Sequence, residues 1–208
     1  MIIPSHMVWG YVFGRATAKL QKNPPNLALL ILAGALSDFD LFTRQPYGAL
    51  FGHHGISHSW LVIVLVSVPL FYAFGSRTLP YFIAALQHPL FGDLIANHVP
   101  LLFPFTFAEN GLNLSEVSPA IEVGLELLGF ALFIIVLITS GDWKARMHRT
   151  AWTTLWLLLW LPPTLLTTVQ GFWYYEANLL TQIYSAYAIV SSLFLVVLAA
   201  FLFLRSLR

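Results

Sequence analysis

The chain has 208 residues, of which 58% are hydrophobic and only 9% charged, with a mean hydropathy of +0.77. A soluble domain carries about 25% charged residues, so this composition excludes one and describes an integral membrane protein. A formal net charge of +1 without a long basic run offers nucleic acid no footprint, and the absence of cysteine excludes disulfides and thiolate ligands.

A spanning helix needs about 20 mostly apolar residues. The opening Met1-Ile-Ile-Pro-Ser-His lacks a basic n-region and a small-residue cleavage site, so it reads as mature sequence. The first segment covers roughly 5–22. Its Ser5 is a favoured N-cap, which places His6 in the first helical turn. Gly10 and Gly14 follow His6 at four-residue spacing and permit close helix contact on that face. The alternative for His6 is an interfacial histidine near the chain end. The second segment, 26–37, is too short to cross alone and must end within the bilayer or run on through Asp38–Leu41. Irregular backbone at that depth is tolerated only where it lines a cavity or is buried in protein. Asp38 and Asp40 come next. Two carboxylates two residues apart face the same way in extended chain, where both reach one ion or two adjacent ions; otherwise the pair is a helix-ending turn in water.

The most specific stretch is Phe51-Gly-His-His-Gly-Ile-Ser-His-Ser-Trp60, with His53, His54 and His58 around a glycine bend before a third helix over 58–75. A histidine-rich tract of this kind is a metal-binding cue, the alternative being solvated loop residues. Ser57 again reads as an N-cap, with His58 in the first turn and the strongest single ligand. The fourth segment, 79–98, holds Gln87-His-Pro-Leu-Phe-Gly-Asp93. On an ideal helix His88 and Asp93 stand about 140° apart, so they meet only if Pro89 and Gly92 distort the turn; a kinked helix with a hydrogen-bonded histidine is the alternative. His98, just before Pro100, reads as a supporting or interfacial group. The three clearest spans follow at 118–140, 150–170 and 181–204. Glu122 and Glu126 face one way at i, i+4 on the first of these, each a candidate ligand, general base or protonated packing residue. His148 lies amid basic residues and reads as uninvolved.

Six of the seven histidines and three of the four aspartates thus fall within residues 6–98. Each ionisable group at bilayer depth costs about 2.5–3.5 kcal/mol on insertion scales, and these residue types match nitrogen and oxygen metal ligands. Orientation follows from Lys and Arg. The loop 141–149 carries three basic residues and the chain ends Arg205-Ser-Leu-Arg208, whereas 171–180 has none. Alternating crossings then set Arg77, Arg15, Lys19 and Lys22 on the cytoplasmic side, with only Arg44 opposite. The expectation is an all-α, polytopic membrane protein of about seven helices, N-out and C-in, forming a single domain over 1–208. Its titratable groups converge on the outer face.

At these residues the chain resembles the YdjM-like, LexA-binding inner-membrane family, whose members are assigned as membrane-bound metal-dependent hydrolases. Ser5-His6 with Gly10 and Gly14 matches the family's early Thr/Ser-His with spaced glycines. Asp38-Phe-Asp40 matches its Pro-Asp-x-Asp, with Ser37 in place of Pro. His53-His54-Gly55-Ile56-Ser57-His58-Ser59 matches its central His-Arg-Gly-x-Thr-His-Ser, with His54 where Arg is usual. His88, Asp93 and Phe103-Pro104-Phe105 match a His-x3-Asp and Leu/Phe-Pro-Phe, the His-to-Asp spacing being one residue longer here. The resemblance covers roughly 5–106 and implies a cell-membrane, multi-pass hydrolase.

The leading expectation is a membrane hydrolase with one or two divalent ions, zinc suiting the histidine-rich set and manganese or iron also fitting it. The ligand pool is His6, Asp38, Asp40, His53, His54, His58, His88 and Asp93, with Asp40 able to bridge two ions. Glu122, Glu126 or Asp93 is the expected general base. A site at head-group level suggests membrane lipids as partners and a lipid or lipid-linked (phospho)ester as substrate. A second copy or another membrane protein is a further expected partner. The alternatives are a metal-ion or proton transporter or channel, marked by a continuous chain of ionisable groups, and a membrane subunit whose metal is structural, marked by a closed coordination shell.

Overall fold

The computed structural model of the protein describes residues 1, 3–18, 25–43, 50–144 and 179–206. The described residues are mostly helical, with a single isolated β-bridge among them, Val99 with Asn110, in the loop after the fourth helix. The helices are α1 (Ile3–Ala18), α2 (Leu27–Gly34), α3 (Trp60–Phe74), α4 (Leu79–Gln87), α5 (Pro119–Ser140) and α6 (Leu179–Ser206). They correspond to six of the seven expected segments; the segment 150–170, His148 and most of the basic residues used for orientation lie outside the described residues.

α1 is the central helix and packs against α2, α4, α5 and α6. Small residues allow it: a Cβ on Gly10 would run into Gly34 on α2, and one on Gly14 into Pro80 and Ala84 at α4. Around this contact Met7, Val8, Tyr11, Leu30, Ile31, Phe133 and Leu195 form the apolar core. With lipid outside, such association relies on close packing and polar contacts between helices, so small residues at the seam are what the environment selects.

Among the described residues, three stretches are long and apolar enough to cross a membrane: Trp60–Ala96, Pro119–Ser140 and Gln182–Leu202. The first is folded on itself. The chain turns at Gly75–Thr78, the Thr78 hydroxyl donates to the Leu70 carbonyl at 3.0 Å, and Phe71 meets Phe82 edge-on at 5.5 Å. α3 and α4 therefore run antiparallel and return His58 and His88 to the same end of the bundle. Arg15 pairs with Asp142 at 2.8 Å at the opposite end, with Tyr11 donating to the same carboxylate at 2.9 Å. This is an all-α membrane protein with one end polar by histidine and aspartate, the other by an Arg–Asp–Tyr cluster.

Two local expectations are corrected. Ser5 and Ser57 are not N-caps. Ser5 lies inside α1 and its hydroxyl meets that of Tyr187 on α6 at 2.9 Å; Ser57 donates to Asp40. The N-cap of α3 is Ser59, whose side chain instead donates to the carbonyls of Leu101 and Phe103 at 3.1 and 2.7 Å, pinning the 97–113 loop over the site. Serine next to a crowded polar site turns its hydroxyl to partners there instead of accepting from its own helix amides.

Candidate metal centre

The segment after α2 is neither extended chain nor a water-facing turn. It is a 3-10 helix, Ser37–Thr43, and its two carboxylates point inward. Successive residues of such a helix turn by about a third of a circle, so Asp38 and Asp40 diverge. They take opposite sides of one imidazole. Asp38 Oδ1 lies 3.7 Å from His58 Nε2, and His58 Nδ1 donates to Asp40 Oδ2 at 3.0 Å.

His88 and Asp93 do meet, and the device is a π-helical turn over His88–Asp93 that ends when the Leu94 amide bonds the Pro89 carbonyl. Such a turn accommodates one extra residue in an α-helix, so the long His-to-Asp spacing is absorbed locally. His88 Nε2 stands 3.3 Å from Asp93 Oδ2 and 3.4 Å from Asp38 Oδ1, while His58 Nε2 is 3.4 Å from Asp93 Oδ2. His6 stacks on His88 with centroids 3.7 Å apart and planes 14° from parallel, its Nε2 3.4 Å from Asp93 Oδ1. Gly92 makes room for it, since a Cβ there would lie on the His6 ring.

These groups are buried: His58 and His88 are 0% exposed, His6 and Asp93 2% and Asp38 3%. Yet His6 Nδ1, Asp38 Oδ2, His58 Nε2, His88 Nε2 and Asp93 Oδ2 have no hydrogen-bond partner. Unsatisfied buried polar atoms are rare and point to a missing ion or water. The separations also suit a cation. Ligands about 2.0–2.1 Å from a tetrahedral ion stand about 3.3–3.4 Å from one another, and the four pairs linking Asp38 and Asp93 to His58 and His88 span 3.3–3.7 Å. His6 with His88 and Asp93, and Asp38 with His58 and His88, are two sets of donor atoms close enough to hold one ion.

The other ring nitrogens are already committed. His88 Nδ1 donates to the Gly34 carbonyl at 2.8 Å and His58 Nδ1 to Asp40. A carbonyl or carboxylate can only accept, so each ring donates through Nδ1 and points its Nε2 into the cage, where it would offer a lone pair to a bound ion. Hydrogen bonds of this kind at the other ring nitrogen orient metal-ligating histidines. Gln87 Nε2 donates to the His6 carbonyl at 3.0 Å and reaches that of Gly34 at 3.4 Å, tying α4 to α1 and α2. Gln87 and Gly34 carry little signal in the sequence beyond their places, one next to His88 and the other four residues before Asp38.

His53 and His54 form the outer rim. His53 Nδ1 donates to Asp40 Oδ1 at 3.0 Å and its side chain is 28% exposed. His54 adopts a left-handed backbone, φ 61°, and its Nδ1 donates to the His98 carbonyl at 3.1 Å. His98 thus contributes its backbone, its side chain being exposed. His53, His54 and His58 are a third set of donor atoms near enough for an ion. Burial would raise the Asp40 carboxyl, but hydrogen bonds from His53, His58 and Ser57 hold it down at about 2. Burial pushes the His54 imidazole down to about 4, which leaves it neutral at neutral pH.

Glu122 and Glu126 belong to none of these sets. Glu122 Oε1 receives the Met1 amino group at 2.9 Å, and the Tyr184 hydroxyl donates to Glu126 Oε1 at 3.1 Å. Through these contacts α5 is tied to the first residue of the chain and to α6. Neither a curated protein nor a solved structure matches the chain. The family model described as YdjM inner membrane protein does, over residues 1–204, well beyond the half of the chain that carries the motifs. The chain belongs to the YdjM inner membrane protein family.

Proposed function

We propose that the protein is a membrane-embedded metal-dependent hydrolase whose divalent ion, zinc in the first instance, would be held by Asp38, His58 and His88, with Asp93 beside it and a position left open for water, near the extracytoplasmic interface. The observation that carries this reading is the set of buried, partnerless donor atoms at ion-ligand separations. Two carboxylates among buried imidazoles in a bilayer need compensating charge, and a cation supplies it. When bound, such an ion lowers the pKa of a coordinated water and polarises the scissile bond. The chain's own residues do the rest. Asp40 and the Gly34 carbonyl hold the His58 and His88 rings in one tautomer. The Asp93–His6 pair is positioned to take a proton from the attacking water through Asp93 Oδ1. His53 and His54 stand at the opening, where a second ion or a phosphoryl or carbonyl oxygen would approach.

The transporter reading has less support. Among the described residues, the core between the histidine end and the Arg15–Asp142 end is apolar, made of Met7, Val8, Leu30, Ile31, Phe133 and Leu195. The experiment is element-specific metal analysis of protein purified without chelators, wild type beside His58→Ala. Stoichiometric metal in the wild type and its loss in the variant is expected. Wild-type protein without stoichiometric metal overturns the reading, and full retention by the variant removes His58 from the ligand set.

A further inference from the structure

We propose that the groove between α2 and α3 holds an acyl chain of a membrane lipid whose head group lies at the histidine–aspartate cage. The inference rests on the hydrolase reading for the chemistry at the head group, but the groove stands on its own geometry. α2 packs on α1 and α4, and α3 packs on α4. Leu29, Leu32 and Ala33 on α2, with Leu36 just past its end, are left facing Leu70 and Phe74 of α3 across a cavity of about 580 Å³. A second cavity of about 250 Å³ shares Ala33, Leu36, Leu70, Thr78 and Tyr81 with the first and continues to Ser37 and Ser57. Ser37 precedes Asp38, and Ser57 donates to Asp40. The apolar channel therefore ends where the candidate ligands begin. Arg77 lines only the first cavity, away from Ser37 and Ser57.

Three features select an acyl chain as the occupant. The walls are apolar, with polar side chains mainly at the two ends. The groove opens sideways from a membrane-crossing stretch, since Leu36, Leu70 and Phe74 on its walls are 54%, 44% and 63% exposed; the surrounding medium there is hydrocarbon. Its length also fits. From Val62 to Phe74 the helix rises about 18 Å, close to the roughly 15 Å that one leaflet contributes to the hydrocarbon core. A chain lying in it keeps its leaflet depth while its head group is drawn to Asp38 and His58.

The test uses purified protein in nanodiscs of phosphatidylethanolamine and phosphatidylglycerol containing a phosphatidylethanolamine with a diazirine on one acyl chain. Labelled positions are read by peptide mass spectrometry after irradiation. Leu32, Leu36 and Leu70 should carry several-fold more label per residue than Leu65 and Tyr72, which are exposed elsewhere on α3. Ala33→Trp and, independently, Leu70→Trp should reduce groove labelling several-fold and leave Leu65 and Tyr72 unchanged. His58→Ala should keep the groove pattern even if metal is lost, which separates this inference from the hydrolase reading. Label no denser in the groove than at Leu65 and Tyr72, as when another part of the chain or a protein partner fills it, overturns the proposal. Groove label that ignores both tryptophans overturns it as well.

Discussion

The imidazole of His58 lies between two carboxylates, and the two have different work. Asp38 shares its Nε2 side with His88 and Asp93, whereas Asp40 accepts from Nδ1 at 3.0 Å, as well as from His53 and Ser57. Partners of the second kind fix ring orientation and raise ligand basicity, and their loss weakens metal binding by about 10–100-fold. Asp40→Asn is therefore expected to lower metal affinity by a factor in that range, measured by competition against a chelator of known strength, while Asp38→Asn removes binding. Equal losses in the two variants would mean that Asp40 is itself a ligand. The types and positions of these residues were legible in the sequence, because so many imidazoles and carboxylates in an apolar chain demand a purpose. The division of labour was not. It depends on a 3-10 backbone that turns Asp40 away from Asp38, and that geometry is decided by the packing of the 50–59 bend against the turn, not by local propensity.

At the level of the element, the π-helical turn is the feature with the most consequence. It holds His88 and Asp93 within 3.3 Å although they are five apart in sequence. A π turn amounts to one residue inserted into an α-helix, and residues four apart on a regular α-helix stand only about 40° from one another. Deleting Leu90, which is 38% exposed, should therefore restore an α-helical turn with the histidine and aspartate still on one face, and metal content should survive. Inserting an alanine after Leu90 should instead separate them and remove the metal. If the deletion removes metal as the insertion does, the π turn is required for more than register. The fourth helix was foreseeable from its apolar run, and Pro89 and Gly92 marked the distortion. The form of the distortion was not foreseeable, since proline and glycine also mark kinks and helix ends. Gly92 has its own role, because only a residue without a Cβ leaves room for the His6 ring.

Across the whole molecule, the helices are arranged so that their starts and ends sort by chemistry. His6 at the start of α1, Asp38 after α2, His58 before α3, Asp93 after α4 and Glu122 at the start of α5 share one end; Arg15 and Asp142 share the other. Apolar runs and basic-residue placement made the helix order and this sorting legible. The groove beside α2 was hidden, because it arises from two helices that each pack on α4 and leave the space between them open. The sorting also makes the orientation testable at two well-separated points. Phe107, 70% exposed, lies in the loop that covers the histidine end, and exposed Lys144 follows α5 at the Arg15 end. With no native cysteine to interfere, Phe107→Cys and Lys144→Cys can each be probed alone in intact cells with a membrane-impermeant maleimide. If basic residues set the orientation as they do in other multi-pass proteins, position 107 labels in intact cells and position 144 only after the membrane is opened. The reverse pattern would put the histidine–aspartate cage on the cytoplasmic face, so that its substrate would have to come from the inner leaflet.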